Sequence, residues 1–304
     1  MRIVFMGTPD FAVPSLNALL AAGHEVVGVF TQPDKPKNRG MKLTPSPVKV
    51  VALEHDIPVY QPATLKTDEA FDVLTALKPE LIIVAAYGKI LPKRILDLPP
   101  MGCINVHSSL LPRYRGAAPI NWAILNGEQE TGVTIMYMAE GLDTGDIISQ
   151  RATPIDPNET VEALHDRLAD IGAALLVETV AALADGTATR TPQDDSLSCY
   201  APMLSRELSP IDFSQTARHI HDQVRGLIPW PATSAELGGT TFKIFAVEET
   251  DEISEKPAGT VLGADKKGVN VVCGDGKVLR ILELQAPGKK RMRAVDYLRG
   301  HALF

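Results

Sequence analysis

The sequence predicts two unlike domains. The first is an α/β domain on a Rossmann-like, open and mostly parallel sheet (residues 1–189). A linker (190–207) leads to a smaller C-terminal β-barrel domain of OB-like type (208–304). Three observations predict this. The length, 304 residues, suits about two domains of about 150 residues each. Strand and helix signals alternate through the first half, as βαβ units require. After residue 209 the pattern changes to short β-like runs between glycine turns.

In order along the chain, Arg2–Met6 is an apolar strand run ended by Gly7-Thr8-Pro9. Leu16, Leu19 and Leu20 then predict a helix over Pro14–Ala22, stopped by Gly23. Glu25–Thr31, Leu81–Ala86, Gly102–His107 and Thr131–Met138 read as further strands. A long helix starts after Thr160, a suitable N-cap, with Val161, Leu164, Leu168, Ile171, Leu175, Val180 and Leu183 close to one stripe. Asp185-Gly186 ends it, and residues 187–209 are polar and irregular. A helix over Thr216–Leu227 precedes strand runs at Thr241–Val247, Gly259–Leu262, Val269–Cys273 and Lys277–Leu284. In an open α/β sheet, ligands bind at the carboxyl ends of the strands.

Composition narrows the class. With 45% hydrophobic and 22% charged residues the chain is ordinary for a globular protein, which excludes wholesale disorder; its glycines and prolines lack a collagen period. Cys103, Cys199 and Cys273 are scattered and form no CxxC pair, so neither a structural zinc site nor a disulfide scaffold is expected. The N-terminal apolar run is too short for a signal peptide. The most apolar stretch, Ile171–Ala184, is broken by Glu178. A monomer of the cytoplasm, with no membrane partner, is expected. The net charge is −7, unevenly spread: −8 over residues 1–205 and +1 over 206–304, with a basic stretch near the C-terminus. Overall acidity opposes indiscriminate nucleic-acid binding but leaves room for a specific phosphate-backbone partner.

The chemistry concentrates in Cys103-Ile104-Asn105-Val106-His107. Strand alternation puts Asn105 and His107 on one face. The strand's carboxyl end then leads into Ser108-Ser109-Leu110-Leu111-Pro112. Asn-x-His alone favours a satisfied core pair of hydrogen-bonding side chains over a site. The turn Glu140-Gly141-Leu142-Asp143-Thr144-Gly145-Asp146 supplies carboxylates that either serve the turn or partner His107. An amide donor, a chargeable imidazole and an orienting carboxylate suit acyl transfer, in which an oxyanion develops and protons must move. The Gly7-Thr8-Pro9 turn lacks G-x-G-x-x-G, which disfavours a dinucleotide oxidoreductase.

Asn105-Val106-His107-Ser108-Ser109-Leu110-Leu111-Pro112, Arg115-Gly116, Pro119 and Gly141-Leu142-Asp143-Thr144-Gly145-Asp146 together resemble the folate-dependent formyltransferases. The resemblance extends over Phe5–Ala12, Thr31–Pro36 and Pro229-Trp230-Pro231, and so over essentially the whole chain. It implies transfer of a formyl group from 10-formyltetrahydrofolate to the α-amino group of methionine carried by initiator methionyl-tRNA, without a metal. It also implies that Asn105, His107 and Asp143 are catalytic. By the same resemblance Ser109, Leu110, Leu111 and Pro112 contact the folate, and Ala85, Ala86, Tyr87 and Gly88 wall its pterin pocket.

The segment 33–45 places Lys35, Lys37, Arg39 and Lys42 after a strand end in an otherwise acidic half. Its bland reading is a solvated loop. The resemblance places a tRNA-contacting insertion here, with Arg39 at its key arginine. A second contact to the tRNA backbone is expected at Lys289, Lys290, Arg291 and Arg293. His219-x-His221 does not share a helix face and is discounted as a metal site. Trp230 reads either as a base-stacking platform or, with the better odds, as a packing anchor.

Overall fold

The computed structural model describes residues 1–37 and 42–301. Along the chain the helices are α1 (Val13–Ala21), α2 (Pro47–Glu54), α3 (Asp68–Leu77), α4 (Lys93–Leu96), α5 (Pro119–Leu125), α6 (Val161–Ala184), α7 (Ala217–Gly226) and α8 (Ala294–Leu298). The strands of the first half are β1 (Arg2–Gly7), β2 (Glu25–Phe30), β3 (Lys35–Lys37), β4 (Lys42–Thr44), β5 (Val59–Tyr60), β6 (Leu81–Ala85), β7 (Cys103–His107), β8 (Arg115–Gly116), β9 (Glu130–Tyr137) and β10 (Ile147–Pro154). After these come β11 (Tyr200–Ala201), β12 (Thr233–Leu237), β13 (Thr240–Ile253), β14 (Val261–Ala264), β15 (Val269–Val272), β16 (Lys277–Gln285) and β17 (Met292–Arg293).

Two compact units emerge. The first holds residues 1–119, 130–153 and 165–201; the second holds 120–129, 154–164 and 202–304. A seven-stranded sheet in the order β10-β9-β7-β6-β1-β2-β5 forms the frame of the first unit. β5, β2, β1, β6 and β7 run parallel, and β9 returns antiparallel to β7. The parallel strands are apolar on both faces because helices cover both: Ile3, Val4, Phe5, Leu81, Ile82 and Ile83 are wholly buried. Helix starts follow capping chemistry. Ser46, Thr67 and Thr160 each accept from the backbone N–H three residues on, at 3.1, 3.3 and 3.3 Å. The parallel strands end together, so the segments after Gly7, Phe30, Ala85 and His107 share one rim. Gln32 stitches it by donating from Nε2 to Tyr87 O at 3.0 Å.

The expected linker is not a free tether. Residues up to 201 belong to the first unit, where β11 pairs with β8: Arg115 N–H donates to Cys199 O and Ala117 N–H to Ala201 O, both at 2.9 Å.

The second unit carries an antiparallel sheet, β12-β13-β16-β15-β14, with β17 on β16. The expected strand runs are all present. The closed barrel is not: among the described residues the sheet ends at β12 and β14, which do not pair with each other. Ile220 and Val224 of α7 pack with Phe242, Ile244, Val269, Leu279, Ile281 and Leu284 as its core. Polar side chains of this helix form one cluster. The carboxylate of Asp222 receives Arg225 Nε at 2.7 Å and Arg218 Nε at 3.1 Å, while Arg225 Nη1 donates to Glu159 O at 2.7 Å. Trp230 is half exposed, which differs from the expected packing anchor. His221 is buried, its Nδ1 without a hydrogen-bond partner.

Candidate active site

Strand β7 sets the first two side chains. Ile104 and Val106 are buried on one face, where Val106 packs near Gly172 of α6. Asn105 and His107 take the other face, with Asn105 between Val84 of β6 and Met136 of β9. Asn105 is partly exposed and its carboxamide has no hydrogen bond among the described residues, so its N–H groups are available to an incoming oxygen.

His107 is 6% exposed. Its Nε2 lies 2.9 Å from Tyr114 O, and because a carbonyl can only accept, Nε2 carries a proton. The exchangeable position is therefore Nδ1, which faces Asp143 Oδ2 at 3.7 Å. That span is too long for a direct hydrogen bond, so the carboxylate acts on the imidazole through its charge. Asp143 sits on the loop after β9. Its carboxylate accepts the Gly116 N–H at 2.8 Å, and its backbone is left-handed, with φ +52°. The loop closes tightly: a Cβ on Gly145 would lie 1.8 Å from Tyr137 O, which leaves glycine as the residue that fits. The structure thus brings Asn105, His107 and Asp143 together at the carboxyl end of β7.

The segments expected to meet a folate divide into surface and scaffold. Ala86 and Gly88 are exposed, and Leu110 and Pro112 half-buried. Ala85, Tyr87, Ser109 and Leu111 are buried. Ser109 donates its hydroxyl to Arg113 O at 2.7 Å, and Thr134 donates to Ser109 O at 2.6 Å. Gln150 Nε2 donates to Leu111 O at 2.9 Å. Tyr87 lies in the core, where burial pushes its hydroxyl pKa up to about 12. These four shape the rim from behind.

Of the basic groups, Lys35 is exposed on β3, paired with β4 as a short hairpin. It stands near Lys89, whose ammonium is shifted below its ordinary pKa by burial first and by the Lys35 charge second. Arg39 lies outside the described residues, as do the side chains of Lys37 and Lys42. Lys289, Lys290, Arg291 and Arg293 are exposed, and Arg291 also pairs with Glu283 at 2.7 Å and lies over the Phe245 ring. An open cleft of about 630 Å³, lined among others by Lys93, Gly102, Cys103 and Arg190, opens at the other end of β7 and contains none of the trio.

Sequence reasoning missed Gln193. It stands in a segment that reads as irregular, yet its Nε2 donates to Asp143 O at 2.8 Å and Gly145 O at 2.7 Å. No local pattern signals a bond that spans about fifty residues.

Comparison with known proteins identifies the family. Residues 1–180 match the model of a family described as formyl transferase, and residues 203–302 the family described as formyl transferase, C-terminal domain. The chain is 51% identical over 302 residues to the methionyl-tRNA formyltransferase of Trichlorobacter lovleyi, covering 99% of this chain and 95% of that one. It is 50% identical over 303 residues to the methionyl-tRNA formyltransferase of Geobacter sulfurreducens, with 100% and 95% covered. Among solved structures, an N-formyltransferase from Helicobacter canadensis, in complex with folinic acid and dTDP-3-aminofucose, superposes with TM-score 0.69 at 20% identity, covering 92% of this chain and 98% of that one.

Proposed function

Because the chain belongs to the formyl transferase family, we propose that it moves a formyl group from 10-formyltetrahydrofolate to the α-amino group of methionine esterified to initiator tRNA, and works in the cytoplasm. The observation that carries this reading is the identity of about half its residues, over nearly the full length of both chains, with enzymes named for that acceptor. No helix among the described residues is long and apolar enough to cross a membrane.

The residues present fit a formyl donor: an unengaged amide on Asn105 and an exchangeable imidazole nitrogen converge at a strand end. The donor supplies an activated N-formyl group. As the amine nitrogen bonds to the formyl carbon, negative charge grows on the formyl oxygen, and Asn105 donates an N–H to it. His107 keeps its Nε2 proton on Tyr114 O, so Nδ1 is the atom that exchanges a proton with the reacting nitrogens. Asp143 opposite holds the resulting imidazolium by its charge. The bond from the formyl carbon to the folate nitrogen then breaks. One proton leaves the amine and one reaches the departing nitrogen, so charge balances. Ala86, Gly88, Leu110 and Pro112 line the folate. Lys35, Lys37, Arg39 and Lys42, and separately Lys289, Lys290 and Arg293, meet tRNA phosphates.

The test is incubation with 10-formyltetrahydrofolate and methionyl initiator tRNA. N-formylmethionyl-tRNA is the expected product. Formylation of a nucleotide-sugar or ribonucleotide amine, with none on the tRNA, would replace the acceptor.

A further inference from the structure

We propose that Gln193 is a positioning residue for the transfer: its carboxamide, gripped by Arg115, fixes the loop that aims the Asp143 carboxylate at His107. This rests on the reading of Asn105, His107 and Asp143 as the catalytic trio.

An amide side chain has two N–H donors and one oxygen with two lone pairs. In Gln193 all four positions are filled. The two donations go to Asp143 O and Gly145 O, at 2.8 and 2.7 Å. The oxygen accepts Arg115 Nε at 3.1 Å and Arg115 Nη2 at 2.8 Å. Arg115 is held in turn by Asp195 at 2.7 Å and by the β8–β11 pairing.

Three features tie this clasp to the chemistry rather than to the turn alone. Asp143 is a non-glycine residue with φ +52°, a conformation that its surroundings must hold in place. Its carboxylate is not used to close its own turn, the usual role of Asp in a loop. It points instead at His107 Nδ1 and at the Gly116 N–H. Finally, the pair Arg115-Gly116 grips Asp143 twice. Gly116 holds the carboxylate directly, and Arg115 holds the backbone through Gln193. Loss of the clasp frees the two carbonyls on which the carboxylate's direction depends.

Glutamate at 193 retains the Arg115 pairing but cannot donate to the carbonyls, so it separates positioning from anchoring of Arg115. The experiment is formyl transfer on the full chain, measured across a titration of 10-formyltetrahydrofolate to saturation. Gln193→Ala lowers the rate about 10- to 100-fold, as a misplaced catalytic group does, with KM for the folate unchanged. Gln193→Glu falls as far. In an Asp143→Ala background, Gln193→Ala costs no more than about twofold, because both changes act on one group. Should Gln193→Ala fail to fold, Gln193→Asn, too short to span both carbonyls, carries the same comparison. A near-normal rate in Gln193→Ala, a restored rate in Gln193→Glu, or an undiminished cost in the Asp143→Ala background would each overturn the proposal. A normal rate in Asp143→Ala itself would instead overturn the assignment of the trio, a separate outcome.

Discussion

Two polar groups, one in each compact unit, are built to opposite specifications. On α7, Asp222 is only 2% exposed and its carboxylate meets Arg225 and Arg218, while Arg225 gives a further N–H to Glu159 O. At the end of β7, Asn105 has an unused amide, and His107 Nδ1 lies 3.7 Å from the Asp143 carboxylate. A carboxylate whose bonds are made fixes structure. A set left with an open donor and an open proton position has capacity for a reacting molecule. The difference separates stability from function more sharply than burial does, since His107 is itself almost wholly buried.

Mutation should break the two groups in different ways. The largest effect falls on stability. Asp222→Ala leaves two arginines without their buried partner and should destabilise by about 3–5 kcal/mol, visible as a lowered Tm, while kcat per folded molecule stays unchanged. The same residue predicts a pH dependence. Burial acts to raise the Asp222 pKa, but the hydrogen bond from Arg225 and the charges of Arg225 and Arg218 outweigh it and hold the carboxyl below its ordinary range. A depressed carboxylate contributes stability above its unfolded pKa of about 3.9, and the contribution is lost as pH falls through the lower folded value. The Tm of the wild type should therefore drop more steeply in acid than that of Asp222→Ala.

Next in size, His107→Ala should lower kcat by about 10²- to 10⁴-fold with Tm close to wild type, as loss of a proton-transfer group does. A variant that lost Tm and kept kcat would place His107 with Asp222, as structure.

The same contrast explains what was legible in the sequence. Asn105 and His107 could be read because strand alternation is local: two residues apart means one face. The parallel sheet and the capped helix α6 were legible for the same reason. Asp143 stood out as a carboxylate in a glycine-rich turn, but its direction depends on Gln193 and Gly116, bonds that span 50 and 27 residues. The β8–β11 pairing hides equally well, because its partners, Arg115 and Tyr200, lie far apart in the chain. In the second unit the strand runs were visible but their closure was not. Pairing order is set by contacts between distant strands, and a Gly-punctuated β pattern fits an open antiparallel sheet as well as a barrel. Buried Ser109 shows the limit on the site itself: a motif position names a residue without saying that its hydroxyl turns inward to Arg113 O.

A smaller effect sharpens the loop's part in the contrast. Gly145→Ala puts a methyl group against Tyr137 O and should cost about 1–3 kcal/mol as overpacking, with kcat reduced through displacement of Asp143. Smallest is the charge contribution of Lys289, Lys290 and Arg293. Replacing all three by alanine should weaken tRNA binding and make the slope of log Kd against log salt shallower by about two, because each neutralised phosphate adds about 0.7 to that slope. An unchanged slope would remove that stretch from the interface.

The most direct test of the contrast lies on the open amide. Formyl transfer to methionyl initiator tRNA should be measured for Asn105→Ala beside the wild type, with Tm recorded for both. Loss of one oxyanion donor predicts a kcat lower by about 10²- to 10³-fold, about 2.7–4 kcal/mol of barrier, at an unchanged Tm. A near-normal kcat in a variant with a lowered Tm would contradict the account: Asn105 would then be a structural amide, and the open group at the end of β7 would not be where the formyl oxygen is held.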